Sequence, residues 1–295
     1  MNNKNMIIDR KIEGPNYRGL VKLDYINSRL KVLSYEGKGY QDMANACVKL
    51  ATEEGLGKIL WNFLKQQSKE SINRELGLEE LHEVGFVQEG KIPGFFRGQD
   101  ALCYAYFVDK ERSNSPYIIE EQRILEQAMA ISEPGKTEAP LPLGFTLRPL
   151  GKEDIMNLVS LYRGVFESYP SPLFDPHYIK DIMNTHVFFV GVFEKGQLLA
   201  AGSAEMDLEH RNAEVTDLAT KPEARGRGLS GSIIKALEVI MLNRNIACLY
   251  SLVRAGEPGA NRGLFKLGYQ YQGKHINNCH IDGRYENMNI WTKML

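Results

Sequence analysis

The sequence predicts a mixed α/β fold: a central mixed sheet flanked by helices, preceded by a smaller lobe that echoes it. Three observations lead there. Strand-period and helix-period segments alternate through the second half. A Gly/Arg-rich loop joins one of those strands to a long amphipathic helix. The first half repeats part of the same element order.

At 295 residues the chain is long for one domain and comfortable for two. An apolar fraction of 43% and a charged fraction of 25% are ordinary for a folded chain. The formal net charge is -1 and no run of like charges stands out. That excludes the basic footprint of a general nucleic-acid or membrane-surface binder. No apolar run approaches the roughly 18 residues of a membrane span, and Met1–Arg10 lacks the apolar core of a signal peptide. Cys47, Cys103, Cys248 and Cys279 stand far apart, with neither a disulfide framework nor a zinc pattern, so a reducing cytoplasm is expected. None of the six histidines has metal-ligand spacing, so no metal is expected. The oligomeric state is left open.

The seam is Ser-Glu-Pro-Gly-Lys-Thr-Glu-Ala-Pro-Leu-Pro-Leu-Gly, residues 132–144, whose three prolines and two glycines suit no helix or central strand. It divides an N-terminal lobe (1–131) from a second domain (145–295). Phe145–Pro149 alternates as a strand, and Asp154–Phe166 has helical apolar spacing. A Pro-rich loop follows, then a helix over Pro176–Asn184. Val187–Phe193 and Leu198–Asp207 form a hairpin about Lys195-Gly196. Ala213–Ala219 is a strand, Gly228–Leu242 a long helix and Cys248–Val253 a buried strand. A short helix near Asn261–Leu267 leads to strands near Tyr269–Ile276 and Tyr285–Trp291. The order is β-α-α-β-β-β-α-β-α-β-β.

The first half echoes it: strand Arg29–Ser34, helix Tyr40–Glu54, strand Lys58–Phe63, helix Ser71–Glu83, strand Ala101–Val108. Gly85-Phe86-Val87-Gln88-Glu89-Gly90-Lys91 matches Gly268-Tyr269-Gln270-Tyr271-Gln272-Gly273-Lys274 in spacing, each after a short helix. A degenerate internal repeat is expected.

The chemistry centres on Arg225-Gly226-Arg227-Gly228-Leu229-Ser230-Gly231, between a strand and a long helix. Glycines there let backbone approach a ligand, the helix start offers unpaired N–H groups to phosphate, and two arginines add charge. Gly226, Gly228 and Gly231 satisfy G-x-G-x-x-G, but Lys221–Ala224 separates them from the strand. The place for an acidic residue about 20 positions on also falls in the apolar strand near Ser251, so a dinucleotide loop fails. A Walker A loop fails as well, because Lys91 is followed by Ile92 and Lys274 by His275.

Arg225-x-x-Gly228-x-Ser230 resembles the Q/R-x-x-G-x-G/A pyrophosphate loop of GNAT acetyltransferases, with Ser where Gly or Ala is usual. The resemblance implies a GNAT-type sheet, acetyl-CoA as cosubstrate, and cofactor contacts at Leu218, Ala219, the loop 225–231 and Asn261. Asn261 has the alternative of capping the short helix. The matching turn of the first half, Glu36-Gly37-Lys38-Gly39-Tyr40, has no arginine, so one acetyl-CoA per chain is expected. A substrate ammonium must lose a proton before attack, and Glu214, eleven residues ahead of Arg225, resembles the general-base position of the superfamily. Strand alternation puts Glu214, Thr216 and Leu218 on one face and Val215, Asp217 and Ala219 on the other, which favours Glu214 over Asp217 as base. The residue that commonly protonates the leaving thiolate is Leu264 here, leaving Tyr250, Tyr269 and Tyr271 as candidates.

Residues 165–176, 212–217, 276–281, 286–291 and 92–96 resemble the β-lysine N-acetyltransferases, in both halves of the chain. This implies acetylation of the ε-amine of β-lysine, the product of lysine 2,3-aminomutase, giving the compatible solute N-epsilon-acetyl-β-lysine. Arg254 is the expected carboxylate clamp. Tyr169 and Asp175 of the Pro-rich loop, with Asn277 and Asn278, are the other expected substrate contacts, and Glu205 is an alternative partner for the ammonium. A GNAT enzyme for a polyamine or protein lysine, or a non-catalytic acetyl-CoA-binding module, are the alternatives.

Overall fold

A computed structural model describes residues 7–38, 40–65, 72–130 and 141–295. In the first half the elements are β1 (Ile7–Gly14), β2 (Tyr17–Asp24), β3 (Arg29–Gly37), α1 (Tyr40–Glu53), β4 (Lys58–Lys65), α2 (Ile72–Val84), β5 (Val87–Phe96), β6 (Gln99–Phe107) and α3 (Ile118–Met129). The second half contains β7 (Phe145–Pro149), α4 (Ile155–Val165), α5 (Pro176–Thr185), β8 (Val187–Glu194), β9 (Gln197–Asp207) and β10 (Asn212–Thr220). Then come α6 (Leu229–Leu242), β11 (Cys248–Arg254), α7 (Pro258–Lys266), β12 (Gln270–Ile281) and β13 (Arg284–Met294). The expected mixed sheet is present. Of the expected seam, 132–140 lies outside the described residues, as does Ser71 at the start of the expected second helix.

All the strands join one sheet, in the order β1-β2-β3-β4-β6-β5-β12-β13-β11-β10-β9-β8-β7. Its middle is mirrored. β4-β6-β5 approaches from one side as β11-β13-β12 does from the other, and the halves meet where Gly90 pairs with Gly273. These glycines hold matching places in the two similarly spaced segments, 85–91 and 268–274. Each follows a break in pairing with its own neighbour, between Gln88 and Gly90 and between Tyr271 and Gly273. The element echo read from the sequence is therefore a spatial one.

Separate apolar cores form under each half. α1 and the inner face of β2–β4 enclose Val21, Leu23, Leu30, Ile59 and Trp61. α6 covers Ala213, Val215, Leu249 and Trp291, and α4–α5 covers Phe189, Ala201 and Ala219 on the opposite face. Polar groups stitch the seam between halves. The fully buried Lys58 donates to Glu89 (2.8 Å) and to the Ile276 carbonyl (2.7 Å), and Glu89 also bonds His275 Nδ1 at 2.7 Å. Arg112 donates to the carbonyls of Asn27 and Asn277. Such a buried charge is tolerated because every partner is supplied.

Candidate active site

β10 and β11 run parallel and pair only from Asn212↔Cys248 to Glu214↔Tyr250, after which they part. Beyond Glu214 the edge of β10 has no ladder partner on β11, although Ser251 Oγ still donates to the Val215 carbonyl at 2.7 Å. On its other side β10 pairs with β9, but Thr216 faces Ser203 and Ala219 faces Ala201, so Asp217 and Leu218 together oppose Gly202. This is a β-bulge, and Asp217 has a φ of 54° to accommodate it.

The bulge overturns the alternation expected along β10. Leu218 turns toward Ile233 of α6, while Ala219 joins the α4–α5 side. Asp217 swings to the Glu214 side, where the Tyr169 hydroxyl lies beside it and Ser203 Oγ donates at 2.6 Å. Both acids thus share one face. The side chains of Leu218 and Ala219, expected at the cofactor, are packed in the two cores.

Glu214 is half-buried, and its carboxyl is pushed up to about 7 by burial first and then by Glu205, directly opposite on β9. The Tyr250 hydroxyl lies beside it. Burial likewise pushes Asp217 up to about 6, against the hydrogen bonds from Ser203 and Tyr169. A carboxylate that titrates near neutrality and faces an opening can accept a proton from an amine. Of the three candidate tyrosines only Tyr250 reaches the acids. Tyr269 lies beside Glu238 and Tyr271 packs on Trp291, while Leu264 is core.

The phosphate loop is built as its residues require. A short 3-10 turn, Pro222–Ala224, ends β10's exit, and Gly226 and Gly228 take φ values of 78° and 75°. A Cβ at either would meet nothing within 4 Å, so the cradle is open. The first helical bond of α6 is from Ser232 N to Gly228 O, leaving the N–H groups of Leu229, Ser230 and Gly231 without helix partners. Arg225 and Arg227 are exposed beside them, and Ser230 Oγ lies 3.2 Å from Thr220 Oγ1. The arrangement fits a pyrophosphate.

β3 and β4 also part, after Val32 and Trp61, and a cleft of about 1150 Å³ lies there, lined by Tyr35, Tyr40, Trp61 and Phe63. No arginine accompanies that turn, of which Gly39 lies outside the described residues.

Several expected site residues are struts instead. Asn261 is fully buried inside α7, whose N-cap is Glu257. Its amide donates to the carbonyls of Arg254 and Glu257, and its oxygen accepts from Asn289 and Trp291. Its side-chain hydrogen-bonding capacity is filled within the protein, and Glu257, not Asn261, is the N-cap of the helix. Arg254 is taken by Glu257 and Asp282, both at 3.0 Å, so it ties the β12–β13 turn to α7 and is not a free carboxylate clamp. Asp175 caps α5 through His177 N. Asn277 holds the carbonyls of Arg112 and Asn114, and the Asn278 carbonyl accepts from Arg29. Of the expected substrate contacts, Tyr169 lies beside the acids, and Glu205, the alternative ammonium partner, stands directly opposite Glu214.

The sequence reading has β3, as Arg29–Ser34, but misses β1 and β2 and so the β2–β3 hairpin. Its end is pinned to the site by Asn27, which donates to the Pro170 carbonyl (3.1 Å) and accepts from His280 N (2.9 Å). The alternation of Tyr17–Asp24 was the available signal. Among the described residues no group of three or more His, Cys, Asp or Glu is placed to hold a metal, and no helix is long and apolar enough to cross a membrane.

Comparison with known proteins agrees with this geometry. Residues 153–269 match the Acetyltransferase (GNAT) family. The chain is 34% identical over 289 residues to N-acetyltransferase YodP of Bacillus subtilis, covering 97% of this chain and 99% of that protein. It is 33% identical over 275 residues to a beta-lysine N(6)-acetyltransferase of Methanosarcina mazei, covering 87% and 98%. A beta-lysine N(6)-acetyltransferase of Methanococcus maripaludis is 28% identical over 93% of this chain. With the bulged strand, the open strand pair and the glycine loop in place, the chain belongs to the GNAT acetyltransferase family.

Proposed function

We propose that this enzyme is cytoplasmic and transfers acetyl from acetyl-CoA to the ε-amine of β-lysine, giving N-epsilon-acetyl-β-lysine, a compatible solute. Lysine 2,3-aminomutase would supply the amine. The observation that carries acetyl transfer is Glu214, a carboxylate titrating near 7 at the mouth of the β10–β11 opening. β-Lysine as the acceptor rests on relatives of that name that match nearly the whole chain. In this reading residues 145–295 are the catalytic unit and 1–131 a degenerate lobe of the same fold.

The loop 225–231 holds the pyrophosphate of acetyl-CoA, whose acetyl-bearing arm enters between β10 and β11. Glu214 takes a proton from the ε-ammonium. The neutral nitrogen then attacks the thioester carbonyl, the C–N bond forms, and the C–S bond breaks to release CoA thiolate, which takes up the second proton that the nitrogen loses as the amide forms. Ser203 orients Asp217 by a hydrogen bond, and the Tyr250 and Tyr169 hydroxyls stand beside the two acids.

A polyamine is the second reading, favoured by the three carboxylates Glu205, Glu214 and Asp217, which suit a polycation. A thiol-release assay with β-lysine, α-lysine, spermidine and a lysine peptide separates them. The highest kcat/KM on β-lysine is expected. Preference for spermidine or peptide would replace the substrate, and acetyl-CoA binding without turnover on any amine would make the protein a binding module.

A further inference from the structure

The β2–β3 hairpin of the first half brings cations to the amine site. Its register sets Lys22 opposite Lys31 and Asp24 opposite Arg29. Val21, Leu23, Leu30 and Val32 alternate with them into the lobe's core, so the four charged side chains share the face turned away from it. That face is fixed against the second half: Arg29 donates to the Asn278 carbonyl at 3.0 Å, and Asn27 holds Pro170, next to Tyr169.

The four charges are not equivalent. Arg29 is neutralised by Asp24 at 2.8 Å. Lys22 and Lys31 have no ion-pair partner within 4 Å among the described residues. Like charges directly opposite on adjacent strands repel, and Arg29 beside Lys31 adds to this, with burial, in lowering the Lys31 pKa. Across from them stand Glu205 and Glu214, themselves a like-charged pair on β9 and β10. Lys31 lies within electrostatic reach of both acids, and Lys22 of Glu205. One wall of the site thus offers two unpaired cations and the other two carboxylates. An acceptor carrying both a carboxylate and ammonium groups relieves both repulsions, whereas a polyamine relieves only one.

Given the reading of the chain as an amino-acid amine acetyltransferase, we propose that Lys31, backed by Lys22, binds the carboxylate of the acceptor and excludes polyamines. The lobe without a phosphate loop would then set substrate specificity, a part Arg254 cannot take.

The test is steady-state kinetics of wild type, Lys31→Met and Lys31→Arg on β-lysine and on 1,5-diaminopentane, which lacks the carboxylate. Measurements are made at saturating acetyl-CoA, above the Glu214 titration. For Lys31→Met, KM for β-lysine should rise about 10- to 100-fold, the worth of a charge-assisted hydrogen bond, with kcat nearly kept. Its kcat/KM on the diamine should stay level or rise, and Lys31→Arg should restore part of the β-lysine affinity. Equal losses on both amines, or no change on either, would overturn the anchor. A wild-type enzyme that turns over β-lysine while both variants behave like it refutes only the anchor. A wild-type enzyme that prefers the diamine refutes the substrate reading itself.

Discussion

Gly90 and Gly273, which hold matching places in two similarly spaced segments, pair with each other at the midline of the sheet. Neither tolerates a side chain. A Cβ on Gly273 would collide with the Glu89 carbonyl and the Gly90 Cα, and its φ of 140° is itself strained for other residues. A Cβ on Gly90 would meet Ile290 Cδ1 and the Gln272 carbonyl. The contact aligns the seam, and the seam carries the β2–β3 hairpin to the acids.

Gly273→Ala should therefore destabilise the protein by about 1–3 kcal/mol or more through overpacking and backbone strain. Urea unfolding measures it. Unchanged stability would mean that the two halves can separate at this point without cost.

Much of the fold was legible because it rests on local periodicity. β10 was read as Ala213–Ala219 and is Asn212–Thr220, and the loop 225–231 was placed at the helix start it occupies. The bulge was not legible, since one extra residue in a strand alters neither composition nor pattern, and so Asp217 was put on the wrong face. Asn261, Arg254 and Asn277 read as ligand contacts because they are polar and near strand ends. Their true partners, such as Trp291, Asp282 and Arg112, are distant in sequence, and only packing reveals them.

The phosphate cradle makes a separate prediction. Gly228→Val meets no steric obstacle in the protein, so the cost to stability is backbone strain at positive φ, about 1–3 kcal/mol. The branched side chain would nevertheless stand over the N–H groups at the start of α6. Calorimetry should show acetyl-CoA binding sharply weakened in a folded variant. Binding at wild-type strength would place the pyrophosphate elsewhere.

Asn261 should behave as a strut. Asn261→Leu leaves the buried Trp291 and Asn289 donors without their acceptor, which costs about 1–3 kcal/mol for each unsatisfied group. Acetyl-CoA affinity of the folded fraction should change less than stability does. If affinity collapses while the melting temperature holds, Asn261 contacts the cofactor after all.

Glu214 also leaves a mark on stability. Its folded-state pKa of about 7 lies above the ordinary value of 4.5, so the ionised form is the disfavoured one in the folded protein. Its penalty is complete above pH 7 and disappears as pH falls toward 4.5. Glu214→Gln should thus melt higher than wild type at pH 8, and the gap should close by about pH 4.5. Melting curves across that window check it, and a gap that widens toward acid would reverse the sign.

The most direct test of Glu214 as the base is the pH dependence of turnover on β-lysine. Wild-type kcat/KM should climb through an apparent pKa near 7, shaped by coupling to Glu205 and Asp217. In Glu214→Gln turnover should fall about 10²–10⁴-fold. The limb near 7 should vanish, leaving a rise that continues toward the amine's own pKa of about 10.4. Acetyl-CoA affinity should be nearly unchanged. A Glu214→Gln enzyme that keeps both its rate and its limb near 7, while Asp217→Asn loses them, would contradict the account and move the base to Asp217.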